Sequence, residues 1–257
     1  MVNVKSLKTC FDFWIVSEVE ASLKRLNVDH IDLYQIHRPD EDTDIDETLS
    51  ALSDLVHSGK IRYFGSSTFP AQKIVEAQWR SKERNFERFV TEQPPYSMLV
   101  RGIEKNILPT TLKYNMGVLP WSPLAGGWLS GKFGIGKENK SMRAKRIPER
   151  YDLSVPENQT KVEIVSKLQD LADEADISLI DMALAFVLEH PAITSAIIGP
   201  RTVEHLESQL GAASITLEES LLDKIDEIVP PGTNINKADS GWAPKSLTDK
   251  SSRRRPH

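Results

Sequence analysis

Residues 31–37 read IDLYQIH and residues 61–67 read IRYFGSS. Each is a short run rich in aliphatic, β-branched and aromatic side chains that closes on polar residues, His37 in the first and Ser66 and Ser67 in the second. Runs of this length and composition predict buried strands. An Arg-Pro-Asp turn at residues 38–40 follows His37 at once, which puts the histidine at a strand end. Between the two runs Ile45, Leu49, Leu52 and Val56 recur at helical spacing behind an aspartate-rich start. Strand, helix and strand in that order imply two parallel strands joined by a right-handed crossover.

The same alternation continues along the chain. RFVTEQ at 88–93, GVLPWSP at 117–123 and TSAIIGP at 194–200 read as three more strands, five in all. The segment 70–84 opens with Pro70 at a first-turn position and reads as an amphipathic helix. Further helices are expected over 158–176, 178–191, 202–213 and 217–229, and residues 230–247 as a tail packed across a surface. The pattern fits a (β/α) barrel or a doubly wound sheet. No GxGxxG follows any strand, which weakens the doubly wound option.

With 257 residues, 39% of them hydrophobic and 27% charged, one large domain is expected. A formal net charge of -5 offers no field for nucleic acid or an anionic membrane. Cys10 is the single cysteine, so neither a disulfide framework nor a cysteine-rich metal site is available, and a reducing, cytoplasmic setting is expected. CFDFWIV at 10–16 is interrupted by Asp12 and lacks a small-residue cleavage site; it reads as an irregular tail or a makeshift edge strand rather than a signal peptide. No stretch is long enough to span a bilayer.

In parallel α/β folds ligands collect at the carboxyl ends of the strands. The residues expected there are His37, Ser67 and Thr68, Gln93, Trp121 and Ser122, and Gly199 and Arg201. Each alone has a structural reading; delivered to one rim, they point to a site. Gln93 can donate and accept towards a carboxamide, Trp121 offers a flat face, and Arg201 stands where a helix begins, with backbone amides suited to phosphate. Glycines in SPLAGGWLSGK, 122–132, permit close backbone approach to a pyrophosphate, which Lys132 can neutralise. A dinucleotide fits these parts.

DLYQIHRPD, GKIRYFGSSTF, EQPPYS, WSPLAGGWLSGK and AIIGPRTVEHLESQL, in this order, resemble the aldo-keto reductases, nearest to the branch with potassium-channel β subunits and bacterial oxidoreductases. The resemblance implies an α/β fold of the (β/α)8 TIM-barrel family. Here the barrel would be incomplete, with about the last five βα units in an aldo-keto reductase domain at 16–257 behind an atypical segment at 1–15. It also implies NADPH-dependent reduction of aldehydes or ketones without a metal, a small-molecule carbonyl as the partner, and self-association through open sheet edges. His37 matches the histidine that orients and polarises the substrate carbonyl. Ser67 and Gln93 match the residues that hold the nicotinamide carboxamide, and Trp121 the aromatic that stacks on the nicotinamide. Ser122, Pro123, Leu124, Gly126 and Lys132 match the pyrophosphate loop, and Arg143 a loop arginine that closes over the cofactor. Gly199, Arg201, His205 and Gln209 fall where the family binds the 2′-phosphate and adenine of NADP.

Thr68 stands where an asparagine is commoner, and Ser208 with Gln209 where relatives often carry Glu-Asn. Nothing before Val16 resembles the segments that bear the family's catalytic aspartate, tyrosine and lysine. Tyr34 and Tyr96 are the candidates to replace that tyrosine. The rival expectations are a non-catalytic subunit that binds NADP(H), and a fragment without independent function.

Overall fold

A computed structural model of the chain describes residues 11–133, 147 and 150–255. They form an α/β fold with parallel strands that divides into two compact units. The first unit holds residues up to Gln93 together with Pro109–Gly117, and the second holds Pro94–Leu108 and everything from Val118 onward.

The first unit is built on helix α1 (Phe11–Leu26), strand β1 (Ile31–Ile36), α2 (Ile45–His57), β2 (Ile61–Ser66), α3 (Ala71–Arg84) and β3 (Thr91–Glu92). β1 and β2 pair in parallel, with Ile31 opposite Ile61 and Ile36 opposite Ser66, and Ser66 pairs with Glu92 of β3. Helix α2 starts where Asp44 accepts the backbone N–H of Asp46, and it buries Leu49, Leu52 and Leu55. Pro70 is the N-cap of α3 rather than its first helical residue, and Asn85 ends the helix in the left-handed region at φ 58°. Phe89 packs edge-on against both Phe64 and Phe69, at 5.5 and 5.6 Å between ring centroids.

One expectation is overturned at the start of this unit. Residues 11–16 are neither a tail nor an edge strand; they are the first turns of α1. Ile15, Val19 and Leu23 are buried at i, i+4 and i+8, which gives α1 one apolar face that starts within these residues.

The second unit contains α5 (Pro156–Glu174), α6 (Leu179–Glu189), α7 (Val203–Leu210) and α8 (Glu219–Ile228). Helix α4 (Ile107–Lys113) and strand β4 (Gly117–Val118) lie on the chain where it passes between the units. The expected fifth strand is reduced to isolated parallel bridges, Val118 with Ile193 and Trp121 with Ile197, and Pro95 bridges Trp121 in the same way. Prolines explain the short ladders: Pro94, Pro95, Pro120 and Pro123 have no N–H to donate. The core packs Leu99, Leu108, Val118 and Leu129 against Val165, Leu168, Met182, Ala183 and Val187. Beneath it Arg101 is almost fully buried, bonded to Glu104, Asp226 and the carbonyl of Val229. The tail packs as expected: Arg101 N–H donates to the carbonyl of Thr233, Ile235 N–H to that of Leu99, and Asn236 to Asn158.

Candidate functional site

In the first unit the polar residues gather where β1, β2 and β3 end. Ser67 is nearly buried; its N–H donates to the carbonyl of Ile36 and its hydroxyl to the carbonyl of Gln93 at 2.8 Å. Gln93 N–H in turn donates to the carbonyl of Ser66. The two residues are therefore locked to each other through backbone. His37 is exposed at the end of β1, and its carbonyl accepts from Arg38, whose guanidinium lies 3.4 Å from the Ser67 hydroxyl.

Thr68 adopts φ 58°. That region is costly for a β-branched residue and tolerable for asparagine. The turn is held by Glu92, fully buried beneath it, whose carboxyl accepts from the Ser66 hydroxyl and from Phe69 N–H. Burial pushes Glu92 up to about 7, against the pull of those hydrogen bonds.

The second unit carries a cavity of about 960 Å³. Its lining includes Trp121, Ser122, Pro123, Leu124, Gly126 and Lys132 on one stretch and Gly199, Arg201, His205 and Gln209 on another. All ten expected residues of this unit that fall within the described chain thus border one cavity. Arg143 lies outside the described residues.

The loop over 122–131 bends through left-handed conformations at Ser122, Ala125, Gly126, Gly127 and Gly131. At Gly127, with φ 103°, a side chain is strained whatever the space around it. The Ser122 hydroxyl accepts Gly126 N–H at 2.9 Å, closing the turn. Arg201 is exposed and immediately precedes Thr202, the N-cap of α7, whose hydroxyl accepts His205 N–H. A Cβ added at Gly199 would meet nothing within 4 Å, so this wall is open to a ligand.

Sequence reasoning missed the aromatic wall of this cavity. Trp128 stacks on Tyr151 with ring centroids 5.6 Å apart and planes within 6°, and Phe133 packs 4.8 Å from Trp128. Lys161, 1% exposed, lies 5.3 Å from the Trp128 ring and 2.5 Å from Asp239. Burial lowers the pKa of this lysine, and Asp239 opposes the shift. The signal was absent because these residues are scattered from 128 to 239 and meet only on folding.

Neither candidate tyrosine suits the work of an acid. Tyr96 is buried and donates to Glu104 at 2.7 Å; burial and that carboxylate raise its pKa well above the usual phenol value. Tyr34 is half-buried and also raised, mainly by desolvation.

The sequence model of the aldo/keto reductase family matches residues 9–230. The chain belongs to the aldo/keto reductase family. It is 42% identical over 215 residues to the Bacillus subtilis (strain 168) protein named uncharacterized oxidoreductase YrpG, covering 83% of this chain and 63% of that protein. It is 32% identical over 220 residues to a probable voltage-gated potassium channel subunit beta of Arabidopsis thaliana, covering 84% of this chain and 66% of the relative. A putative aryl-alcohol dehydrogenase of Saccharomyces cerevisiae (strain ATCC 204508 / S288c) is 30% identical over 220 residues, covering 84% and 62%. The chain thus spans a little under two thirds of the length of these relatives. Among the described residues no helix of this aldo/keto reductase is long and apolar enough to cross a membrane.

Proposed function

We propose that this aldo/keto reductase chain binds NADPH and belongs to a protein that reduces aldehydes or ketones. The observation that carries the reading is the cavity bordered by both the glycine-rich turn at 122–132 and the Arg201–Gln209 segment. Its size and its donor set fit a phosphorylated dinucleotide. The left-handed turn, without side chains at Gly126 and Gly127, lets a pyrophosphate approach the backbone closely, Lys132 and Arg201 supply positive charge, and the α7 amino terminus adds its dipole. Arg201 beside a 2′-phosphate favours NADPH over NADH. Ser67 and Gln93 hold the carboxamide, and Trp121 takes the flat face of the nicotinamide ring.

When bound, NADPH supplies the hydride. His37, exposed at the end of β1, offers an imidazole to orient and polarise a substrate carbonyl. The proton is the weak point. These 257 residues contain no counterpart of the family's aspartate, tyrosine and lysine segments, and Tyr34 and Tyr96 are both shifted away from acidity. Loss of a general acid typically costs about 10²- to 10⁴-fold in rate.

The test is NADPH oxidation with a reactive aromatic aldehyde, read at 340 nm beside a full-length relative. The chain should run at least about a hundredfold slower, and a polypeptide carrying the family's first three strands, supplied in trans or fused ahead of Val16, should raise turnover that His37→Ala lowers. Fast oxidation by the chain alone would sink this account of the acid. A second reading, a non-catalytic NADP(H)-binding subunit, is favoured by the relatives named as potassium channel subunits beta. Tight NADPH binding without turnover even after the added strands would select it.

A further inference from the structure

Gln35, on β1 two residues before His37, has no place in the reading above. Its side chain reaches polar residues on and just after β3: Gln35 Nε2 donates to Gln93 Oε1 at 3.2 Å, and Gln35 Oε1 accepts from the Thr91 hydroxyl at 3.2 Å. Gly65 of β2, opposite Gln35 in the sheet, makes the crossing possible. A Cβ there would stand 2.0 Å from Thr91 Oγ1 and 2.2 Å from Gln35 Oε1. The sequence thus reserves space at residue 65 for a hydrogen-bonded relay from Thr91 through Gln35 to Gln93.

The relay fixes a direction. Because Gln93 Oε1 is an acceptor already engaged, its free end is the amide NH₂, which has no partner among the described residues. Ser67 is set in the opposite sense: its one hydroxyl proton goes to the Gln93 carbonyl, so its oxygen, approached only at 3.4 Å by Arg38 Nη1 and at 3.5 Å by Thr68 Oγ1, can accept but not donate. A free donor on Gln93 and an oxygen on Ser67 that can only accept, tied through the same residue, match a primary carboxamide, whose oxygen accepts and whose nitrogen donates. They do not match a carboxylate, which only accepts.

We propose that Gln35 is a positioning residue for the nicotinamide end of the site, holding the Gln93 amide so that it selects a carboxamide over a carboxylate. This rests on the reading that Ser67 and Gln93 receive the nicotinamide. Gln35→Leu removes the relay and lets the Gln93 amide turn. Gln35→Glu goes further: an ionised carboxylate at 35 accepts from both Thr91 and Gln93, so Gln93 must offer its oxygen to the ligand instead.

The experiment compares dissociation constants for three probes by calorimetry at pH 8: NADP⁺, its nicotinic acid analogue with a carboxylate in place of the carboxamide, and adenosine 2′,5′-bisphosphate, which lacks the nicotinamide. The wild-type chain should prefer NADP⁺ to the acid analogue. Gln35→Leu and Thr91→Val should each cut that preference by about 3- to 10-fold, the scale of one hydrogen bond, and Gln35→Glu should cut it more. Affinity for the bisphosphate should not change, which also reports that each variant is folded. An unchanged preference in Gln35→Leu and Gln35→Glu, with the bisphosphate bound normally, overturns the role of Gln35 while the nicotinamide reading stands. Equal wild-type affinity for NADP⁺ and the bisphosphate overturns the nicotinamide reading and this inference together. If the Gln35 variants lose the bisphosphate as well, Thr91→Val, which keeps the shape of the side chain, decides between the outcomes by the same ratio.

Discussion

Tyr151 donates its phenolic hydroxyl to the carbonyl oxygen of Gly126 at 2.7 Å while its ring lies flat on Trp128. The bond ties a residue 25 positions away to the tightest part of the glycine turn, where Ala125, Gly126 and Gly127 are all left-handed. Tyr151→Phe keeps the stack and removes the bond. It should weaken NADPH by a factor of roughly 3 to 10 and cost about 0.5–1.5 kcal/mol of stability. Titration calorimetry and urea unfolding check the two numbers separately.

Thr68 carries a β-branched side chain at φ 58° in a turn whose neighbours on both sides are hydrogen-bonded. Thr68→Asn should stabilise the chain by about 0.5–1 kcal/mol by relieving that conformation. Thr68→Val, equally branched, should give no gain. A shift of the urea midpoint in the same direction for both variants would show that relief of the backbone is not the cause.

Glu92 gives stability a pH dependence of unusual sign. Its pKa in the folded chain is pushed up to about 7 from an ordinary value near 4.5, because burial disfavours the charged form. Between those values the folded state holds the proton and the unfolded state does not, so stability falls as pH rises from about 4.5 to 7 and is level beyond. The hydrogen bonds from Ser66 and Phe69 and the positive charge of Arg38 reduce the shift without cancelling it. Glu92→Gln should therefore gain on the wild type by roughly 1–3 kcal/mol at pH 8 relative to pH 5. Parallel pH profiles for the two proteins would remove Glu92 as the source of the dependence.

Arg101 is 5% exposed and serves Glu104, Asp226 and Val229 at once, with its guanidinium 5.1 Å above the Phe186 ring. Arg101→Ala leaves the partly buried Glu104 without its cation and should cost about 3–5 kcal/mol. The readout is the free energy of unfolding in urea at pH 7. A loss under about 1 kcal/mol would mean that water reaches these carboxylates.

The first unit was largely legible in the sequence because β1 and β2 are short runs rich in aliphatic and aromatic residues and its helices carry clear stripes, as at Leu49, Leu52 and Leu55. Legibility fell where proline intervened. Pro94 and Pro95 stop β3 after Glu92, and Pro120 separates the ladder at Val118 from the bridge at Trp121, so residues that read as full strands pair only in places. Helix α4 went unread because seven residues with a proline and two threonines show no period. The cofactor residues were legible as strand-end and glycine-loop chemistry reinforced by resemblance. The residues that hold them in place, Gln35, Glu92, Tyr151 and Lys161, were not: each acts through a partner brought near only by folding, and side-chain type alone does not announce it.

The central claim is that the cavity bordered by Ser122, Lys132 and Arg201 takes a dinucleotide bearing a 2′-phosphate. It is tested most directly by titrating NADPH and NADH against the intrinsic tryptophan fluorescence of the wild type and of Arg201→Ala. NADPH should quench the wild type, with Trp121 beside the bound ring. Arg201→Ala should weaken NADPH by about 1.5–3 kcal/mol, the scale of a charged hydrogen bond, and leave NADH nearly unchanged. No quenching of the folded chain at millimolar NADPH, or equal losses for both cofactors, would contradict it.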